Sequence, residues 1–206
     1  EGGGTVVDAK SWSEFPGTVG QAWPGAEIKI IDEDGSETPT DEQGTVFMKL
    51  GEATKFEYKG DQAKTKKERL VINDQVYFTV GDIGYLNKEG YLFLCDRKID
   101  MIISGGANIY PAEIESVLLM HPQVADAAVF GIPSEEWGEL VHAVVVKRPG
   151  ATLSEADVSA HARTHLASYK VPRSMSWMDE LPKTGSGKIL KRELRAPFWE
   201  GRDSKV

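Results

Sequence analysis

The sequence predicts an α+β protein, with a β-rich, barrel- or sandwich-like first half followed by a smaller portion of mixed α and β structure. Two patterns and one change of composition carry that expectation. Short runs of β-branched and aromatic residues recur through the first hundred residues, separated by turns containing glycine and aspartate. Further along, helical and extended patterns alternate. The charge balance changes where the patterns meet, near Asp96–Asp100: residues 1–96 hold 18 acidic and 10 basic side chains, and residues 97–206 hold 14 of each. The expected domains are therefore 1–96 and 97–206.

The elements follow in order. Ala26-Glu27-Ile28-Lys29-Ile30-Ile31 alternates towards its end and stops at Asp32-Glu33-Asp34-Gly35, a turn signal. Gly44–Leu50 and Val76–Val80 read as further strands. Gly84–Leu86 and Tyr91–Leu94 flank Asn87-Lys88-Glu89-Gly90, which suits a hairpin with Gly90 at positive φ. Pro111 suits the first position of a helix, with Glu113 and Glu115 near its positive end and Ile114, Val117 and Leu118 on one face. Val124–Phe130 reads as a strand ending at Gly131-Ile132-Pro133, and Leu140–Val146 as another, stopped by Pro149-Gly150. Ser154 with Asp157 resembles a capping box that starts a helix reaching about Leu166, and Pro172 ends the next segment. Lys188–Leu194 reads as a short basic helix.

Bulk properties exclude several classes. The net charge of -8 comes wholly from the first half and the second half is balanced, which disfavours nucleic acid, a partner that demands a basic excess. The basic clusters Lys64–Lys67 and Lys188–Arg195 read as solvated faces. No apolar run approaches the roughly 20 residues of a membrane span. Cys95 is the single cysteine and can form no internal disulfide, which fits a reducing, cytoplasmic setting; within Tyr91–Cys95 it reads as a small buried hydrophobe. Glu1-Gly2-Gly3-Gly4 has neither the basic nor the apolar region of a signal peptide, and the chain does not open with Met. It is therefore expected to be part of a longer protein.

The strongest motif runs from Asp96 to Glu115, Asp96-Arg97-Lys98-Ile99-Asp100-Met101-Ile102-Ile103-Ser104-Gly105-Gly106-Ala107-Asn108-Ile109-Tyr110-Pro111-Ala112-Glu113-Ile114-Glu115. It reads as a charged segment, an apolar strand, a Gly-Gly turn and a helix start. Adjacent glycines let a backbone pass close to a ligand. A bare Gly-Gly is usually a plain turn; the whole string closely resembles the hinge and glycine loop of acyl-CoA synthetases, members of the adenylate-forming family. Three further strings match that family in order. Tyr77-Phe78-Thr79-Val80-Gly81-Asp82 resembles its Tyr-x-Thr-Gly-Asp element, with Val80 standing before the glycine. Pro182-Lys183-Thr184-Gly185-Ser186-Gly187-Lys188-Ile189 resembles its catalytic-lysine loop; the spacing fails as a P-loop, and Ile189 stands where a magnesium-binding hydroxyl would be. Glu1-Gly2-Gly3-Gly4 resembles the tail of its Tyr-Gly-x-Thr-Glu element.

The resemblance implies a fold and a set of roles. The fold is the β-rich end of a large AMP-binding domain followed by a small α+β C-terminal lid. Asp82 would hold both ribose hydroxyls of ATP, a task suited to a carboxylate that accepts two hydrogen bonds at once. Arg97 would face ribose and phosphate, although alone it would read as a surface salt bridge. Lys188 would reach the acyl carboxylate and the α-phosphate. Ser104, Gly105 and Gly106 would leave room for the pantetheine arm of coenzyme A. Glu1 would bind Mg. Ile99 occupies the hinge position, where the family usually has Asp or Lys. The implied reaction joins a small carboxylic acid to coenzyme A through an acyl-AMP. The chain resembles only the last two-fifths of a family member and would be inactive alone. The rival readings are an amino-acid-adenylating or carrier-protein-loading enzyme, and a non-catalytic fragment or interaction module.

Overall fold

In a computed structural model, residues 4–49, 57 and 59–201 are described. The chain separates into two compact units, Glu1–Lys98 and Ile99–Val206.

The first unit is built from antiparallel strands. β1 (Thr5–Val6) and β2 (Gln21–Ala22) form a small ribbon, and α1 (Ala9–Glu14) lies between them in sequence. Asp8 caps α1 by accepting from the Ser11 amide at 2.7 Å. β3 (Glu27–Ile31) pairs along its length with β4 (Gly44–Lys49). After α2 (Gln62–Lys67) come β5 (Arg69–Ile72), β6 (Gln75–Phe78), β7 (Asp82–Leu86) and β8 (Leu92–Arg97). The other edge of β4 is shared: its start pairs with β7 at Gly44 and Thr45, and its end pairs with β6 at Met48. The chain between β6 and β7, Thr79-Val80-Gly81, therefore crosses a fork in the sheet. Ile30, Val46 and Leu92 form the buried core beneath it. Gly90 takes φ 79 in the β7–β8 turn, as the hairpin requires.

The second unit is organised by one long hairpin. β9 (Ile102–Ser104) and β10 (Ala107–Ile109) come first, then α3 (Pro111–Leu119), β11 (Val124–Ser134), β12 (Gly138–Lys147), α4 (Glu155–His165), β13 (Ser174–Met178) and α5 (Lys191–Trp199). β11 and β12 alternate buried side chains on both faces. Ala127, Val129, Val141, Ala143 and Val145 face Ile114, Val117, Leu118, Val158 and Ala162 of α3 and α4. Ala128, Phe130, Val144 and Val146 face Leu181, Ile189 and Leu194. Pro111 opens α3 at its first turn, and the Ser154–Asp157 capping box opens α4.

Three local expectations are corrected. β11 does not stop at Phe130 but continues to Ser134, because Gly131, Ile132 and Pro133 pair with Val141, Leu140 and Glu139. Among the described residues β11 pairs with β12 alone, so Pro133 sits on an edge strand where a missing donor is tolerated. A strand, β10, intervenes between the Gly-Gly turn and α3. Lys188 and Ile189 belong to a loop, and the basic helix begins at Lys191 and runs past Pro197 to Trp199. The strand β13 has no counterpart among the sequence expectations; it adds to β12 in parallel.

One buried polar group stands out. His142 on β12 is 2% exposed. Its ring nitrogens meet the Ser174 and Ser176 hydroxyls at 2.9 and 3.1 Å, and the Phe130 and Phe198 rings lie against it. Burial holds its imidazole below the ordinary value of 6.5. In the unfolded chain the same group takes up a proton as the pH falls through that value, while the folded one resists. Stability is therefore complete above about pH 6.5 and is lost as the pH falls below it, by at most about 1.4 kcal/mol per pH unit for one proton. Urea denaturation between pH 7.5 and 5 should show this slope, and His142→Gln should flatten it; equal slopes in the two proteins would assign the acid sensitivity elsewhere.

Candidate functional site

Asp82 and Arg97 are brought together directly. They are cross-strand partners at the open end of the β7–β8 hairpin, and Arg97 Nε lies 3.2 Å from Asp82 Oδ1. The fork in the sheet sets this position. Gly81 turns at φ 82, its amide donates to Thr79 Oγ1 at 3.0 Å, and its carbonyl accepts from the Lys98 amide at 2.7 Å. Asp82 follows as the first residue of β7. The Arg97 side chain is 59% exposed, so the pair contributes little to stability. Its chemical capacity is a carboxylate with spare acceptor positions beside a guanidinium with spare donors.

The unit division falls immediately after Lys98. Ile99 is 57% exposed, and its carbonyl accepts from Arg195 Nη1 at 3.4 Å. Arg195 also lies 3.9 Å from Asp100 Oδ1.

Ser104, Gly105 and Gly106 form the tip of the β9–β10 hairpin. Gly105 and Gly106 take φ 58 and 80, a conformation side chains avoid. The Gly105 amide donates to the Trp137 carbonyl at 2.8 Å, and Ser104 pairs with Gly138. The indole of Trp137 lies against Gly105, and the Arg173 guanidinium sits 4.4 Å from that ring.

Lys188 closes a tight turn. The Thr184 amide donates to the Lys188 carbonyl at 2.8 Å, the Lys188 amide to Thr184 Oγ1 at 3.1 Å, and the Gly187 amide to the Thr184 carbonyl at 2.9 Å. Lys183 and Ile189 bridge below it. The base is fixed from both sides: Lys183 Nζ meets Asp126 Oδ2 at 2.6 Å, which raises the Lys183 pKa, and Lys191 Nζ meets Glu115 Oε1 at 2.8 Å. The Lys188 side chain itself is exposed.

The two loops of the second unit are not brought together. The lysine loop is anchored at Asp126, near the open end of the β11–β12 hairpin. The glycine tip is anchored at Gly138, which faces Ser134 at the closed end. Eight residue steps separate Asp126 from Ser134, roughly 25 Å of strand at about 3.3 Å per residue. Glu1 lies outside the described residues, and among the described residues no group of three or more His, Cys, Asp or Glu is arranged to hold a metal. No helix among them is long and apolar enough to cross a membrane.

Comparison with known proteins decides the family. Residues 113–188 match the AMP-binding enzyme C-terminal domain. The chain carries the C-terminal domain of the AMP-binding enzymes. It is 42% identical over its whole length to a fatty acid–[acyl-carrier-protein] ligase, ScoC, of Streptomyces coeruleorubidus, and covers 40% of that protein. It is 40% identical over 87% of its length to a 2-succinylbenzoate–CoA ligase of Geobacillus kaustophilus, and covers 35% of it. Among solved structures it resembles o-succinylbenzoate CoA synthetase of Bacillus subtilis in complex with its acyl-adenylate, with a TM-score of 0.81 at 35% identity, over 92% of this chain and 38% of the other. ATP-bound MatB of Rhodopseudomonas palustris gives 0.80 at 36% identity, over 90% and 36%. The chain thus spans about a third to two-fifths of the length of the AMP-binding enzymes it matches.

Trp137, Glu139 and the Lys183–Asp126 pair were not among the residues expected from sequence. The run Glu135-Glu136-Trp137-Gly138 between two apolar strands was the available signal: a large aromatic in a turn usually packs on something. The glycine tip yields a stability test. A Cβ on Gly105 would lie 2.7 Å from Trp137 Cε3, whereas one on Gly106 would meet nothing within 4 Å. Gly106→Ala should cost about 1 kcal/mol from backbone strain, and Gly105→Ala at least 1 kcal/mol more. Equal losses in urea denaturation would mean that the Trp137 contact does not constrain the tip.

Proposed function

We propose that this chain is the C-terminal part of an acyl-CoA synthetase that converts a carboxylic acid, ATP and coenzyme A to acyl-CoA, AMP and pyrophosphate. In the first step the acid's carboxylate attacks the α-phosphate of ATP and pyrophosphate leaves. In the second the thiol of coenzyme A attacks the acyl carbon and AMP leaves. Asp82 and Arg97 take the nucleotide's ribose and phosphate. Lys188 stabilises the negative charge that develops at the carboxylate and α-phosphate. Ser104, Gly105 and Gly106 line the path of the pantetheine arm. Magnesium would be held by Glu1.

The separation of the two loops carries this reading. One rigid hairpin bears a presented lysine at one end and a side-chain-free turn at the other. Two such ends, roughly 25 Å apart along the strand, cannot serve one reacting centre at once, but they can serve it in turn. A rotation about the backbone of Ile99, the first residue of the second unit, makes that exchange. A carrier-protein thiol in place of coenzyme A is the second reading, favoured by the likeness to a ligase that loads an acyl carrier protein. Dependence of product on free coenzyme A separates the two.

Two experiments test the proposal. The purified 206-residue chain, supplied with ATP, magnesium and a panel of fatty and aromatic acids, should release no pyrophosphate above background. In the full-length enzyme that contains it, Lys188→Ala should slow acyl-AMP formation about a hundred- to a thousandfold while leaving thioester formation from supplied acyl-AMP nearly intact. Gly106→Leu should do the reverse. If Lys188→Ala slows both half-reactions alike, the role given to this lysine is wrong.

A further inference from the structure

Trp137-Gly138-Glu139, where the β11–β12 turn enters β12, takes no part in the chemistry above, yet holds the glycine tip by three consecutive residues. The Trp137 carbonyl accepts from the Gly105 amide at 2.8 Å. Gly138 pairs with Ser104. Glu139 Oε2 accepts from the Ile103 amide at 2.7 Å. The amides on both sides of Ser104 are therefore held by the same short stretch of chain.

Glu139 is the unusual member. It is 6% exposed, and a carboxylate so deeply buried needs strong hydrogen bonds in compensation. Room for it is made by Gly131 across the ladder, where a Cβ would lie 2.8 Å from Glu139 Oε2 and 3.2 Å from Ile102 Cγ2. An apolar side chain would fill that space at lower desolvation cost. What it could not supply is a charge-assisted hydrogen bond to β9, shorter and stronger than a neutral one. Trp137 adds a ring beneath Gly105 and is itself covered by Arg173.

The geometry points to Glu139, with Trp137 beside it, as a positioning residue for the thioester step: the clasp fixes the height and tilt of the Ser104-Gly105-Gly106 tip against the path of the incoming thiol. This rests on the function proposed above. The lysine loop hangs from Asp126 at the far end of β11, so loosening the clasp should affect one half-reaction and spare the other.

The test uses the full-length enzyme and both half-reactions. Glu139→Asp keeps the charge but withdraws the carboxylate by one methylene; Glu139→Gln keeps the reach and an acceptor oxygen. Glu139→Asp should slow thioester formation from supplied acyl-AMP about ten- to a hundredfold, as loss of a supporting hydrogen bond does elsewhere. Acyl-AMP formation should stay within about twofold, as for distant, independent sites. Glu139→Gln, which restores the reach but only a neutral acceptor, should recover part of the lost rate. Trp137→Ala, which keeps the carbonyl but removes the ring, should show the same one-sided defect and decides the matter if Glu139→Asp does not fold. Equal slowing of both half-reactions, or of neither, overturns the proposal. Gly106→Leu, measured alongside, separates the two ideas: if it stalls thioester formation and the clasp variants do not, only the clasp is wrong. If Gly106→Leu leaves that step intact, the role given to the tip falls first.

Discussion

The burial of β11 and β12 on both faces is the constraint on which the second unit depends. Along these strands successive side chains go alternately to the α3–α4 layer and to the layer formed by Leu181, Ile189 and Leu194. Each buried Val, Leu, Ile or Phe side chain contributes about 1.5–3 kcal/mol, whereas an exposed ion pair contributes about 0–1 kcal/mol. The hairpin is therefore fixed by packing, and polar contacts at its ends serve to aim what is attached there. Lys183 with Asp126 aims one loop; Trp137, Gly138 and Glu139 aim the other.

This arrangement changes what kind of object the lysine loop is. A Gly-Ser-Gly segment read alone suggests slack chain carrying a mobile cation. Thr184 instead closes the turn with both its backbone and its hydroxyl, and Leu181 at 2% exposure roots it in the core. Lys188 presents an exposed side chain from this closed turn. On the role proposed for Lys188, the closed turn sets part of its positioning before reaction, which lowers the reorganisation needed for a charge to stabilise a transition state.

Much of this was legible beforehand, for physical reasons that can be named. Pro111, the Ser154–Asp157 capping box and Gly90 announce their structures because each satisfies a local backbone requirement. The α+β class followed from alternation, and the motif strings pointed to the family. What failed to show depended on partners distant in sequence. β11 runs through Gly131-Ile132-Pro133, a sequence that looks like a stop, because it is an edge strand and Gly131 must admit a carboxylate from across the ladder. Ser174–Met178 has no strand pattern of its own strength and becomes β13 by joining β12. Glu139 looks like one more surface acid in an acidic stretch until the Ile103 amide is placed beside it.

On the proposed function Ile99 is the hinge, and its surroundings show how a departure from the family pattern is accommodated. Ile99 lacks the polar side chain usual there, and 57% of it is exposed, so it neither packs nor bonds firmly. The constraint comes instead from its carbonyl, which accepts from Arg195 while Arg195 also faces Asp100. Arg195 lies on α5, and α5 is held by Leu194 against the hairpin core and by Trp199 Nε1 donating to the Gly131 carbonyl at 3.1 Å. On the proposed function, a torsion change at Ile99 works against a long, exposed hydrogen bond of 3.4 Å, a small barrier beside the packing that keeps α5 in place. The side chain at the pivot is then free to be apolar, because the polar hold on the pivot's backbone is supplied from the C-terminal helix.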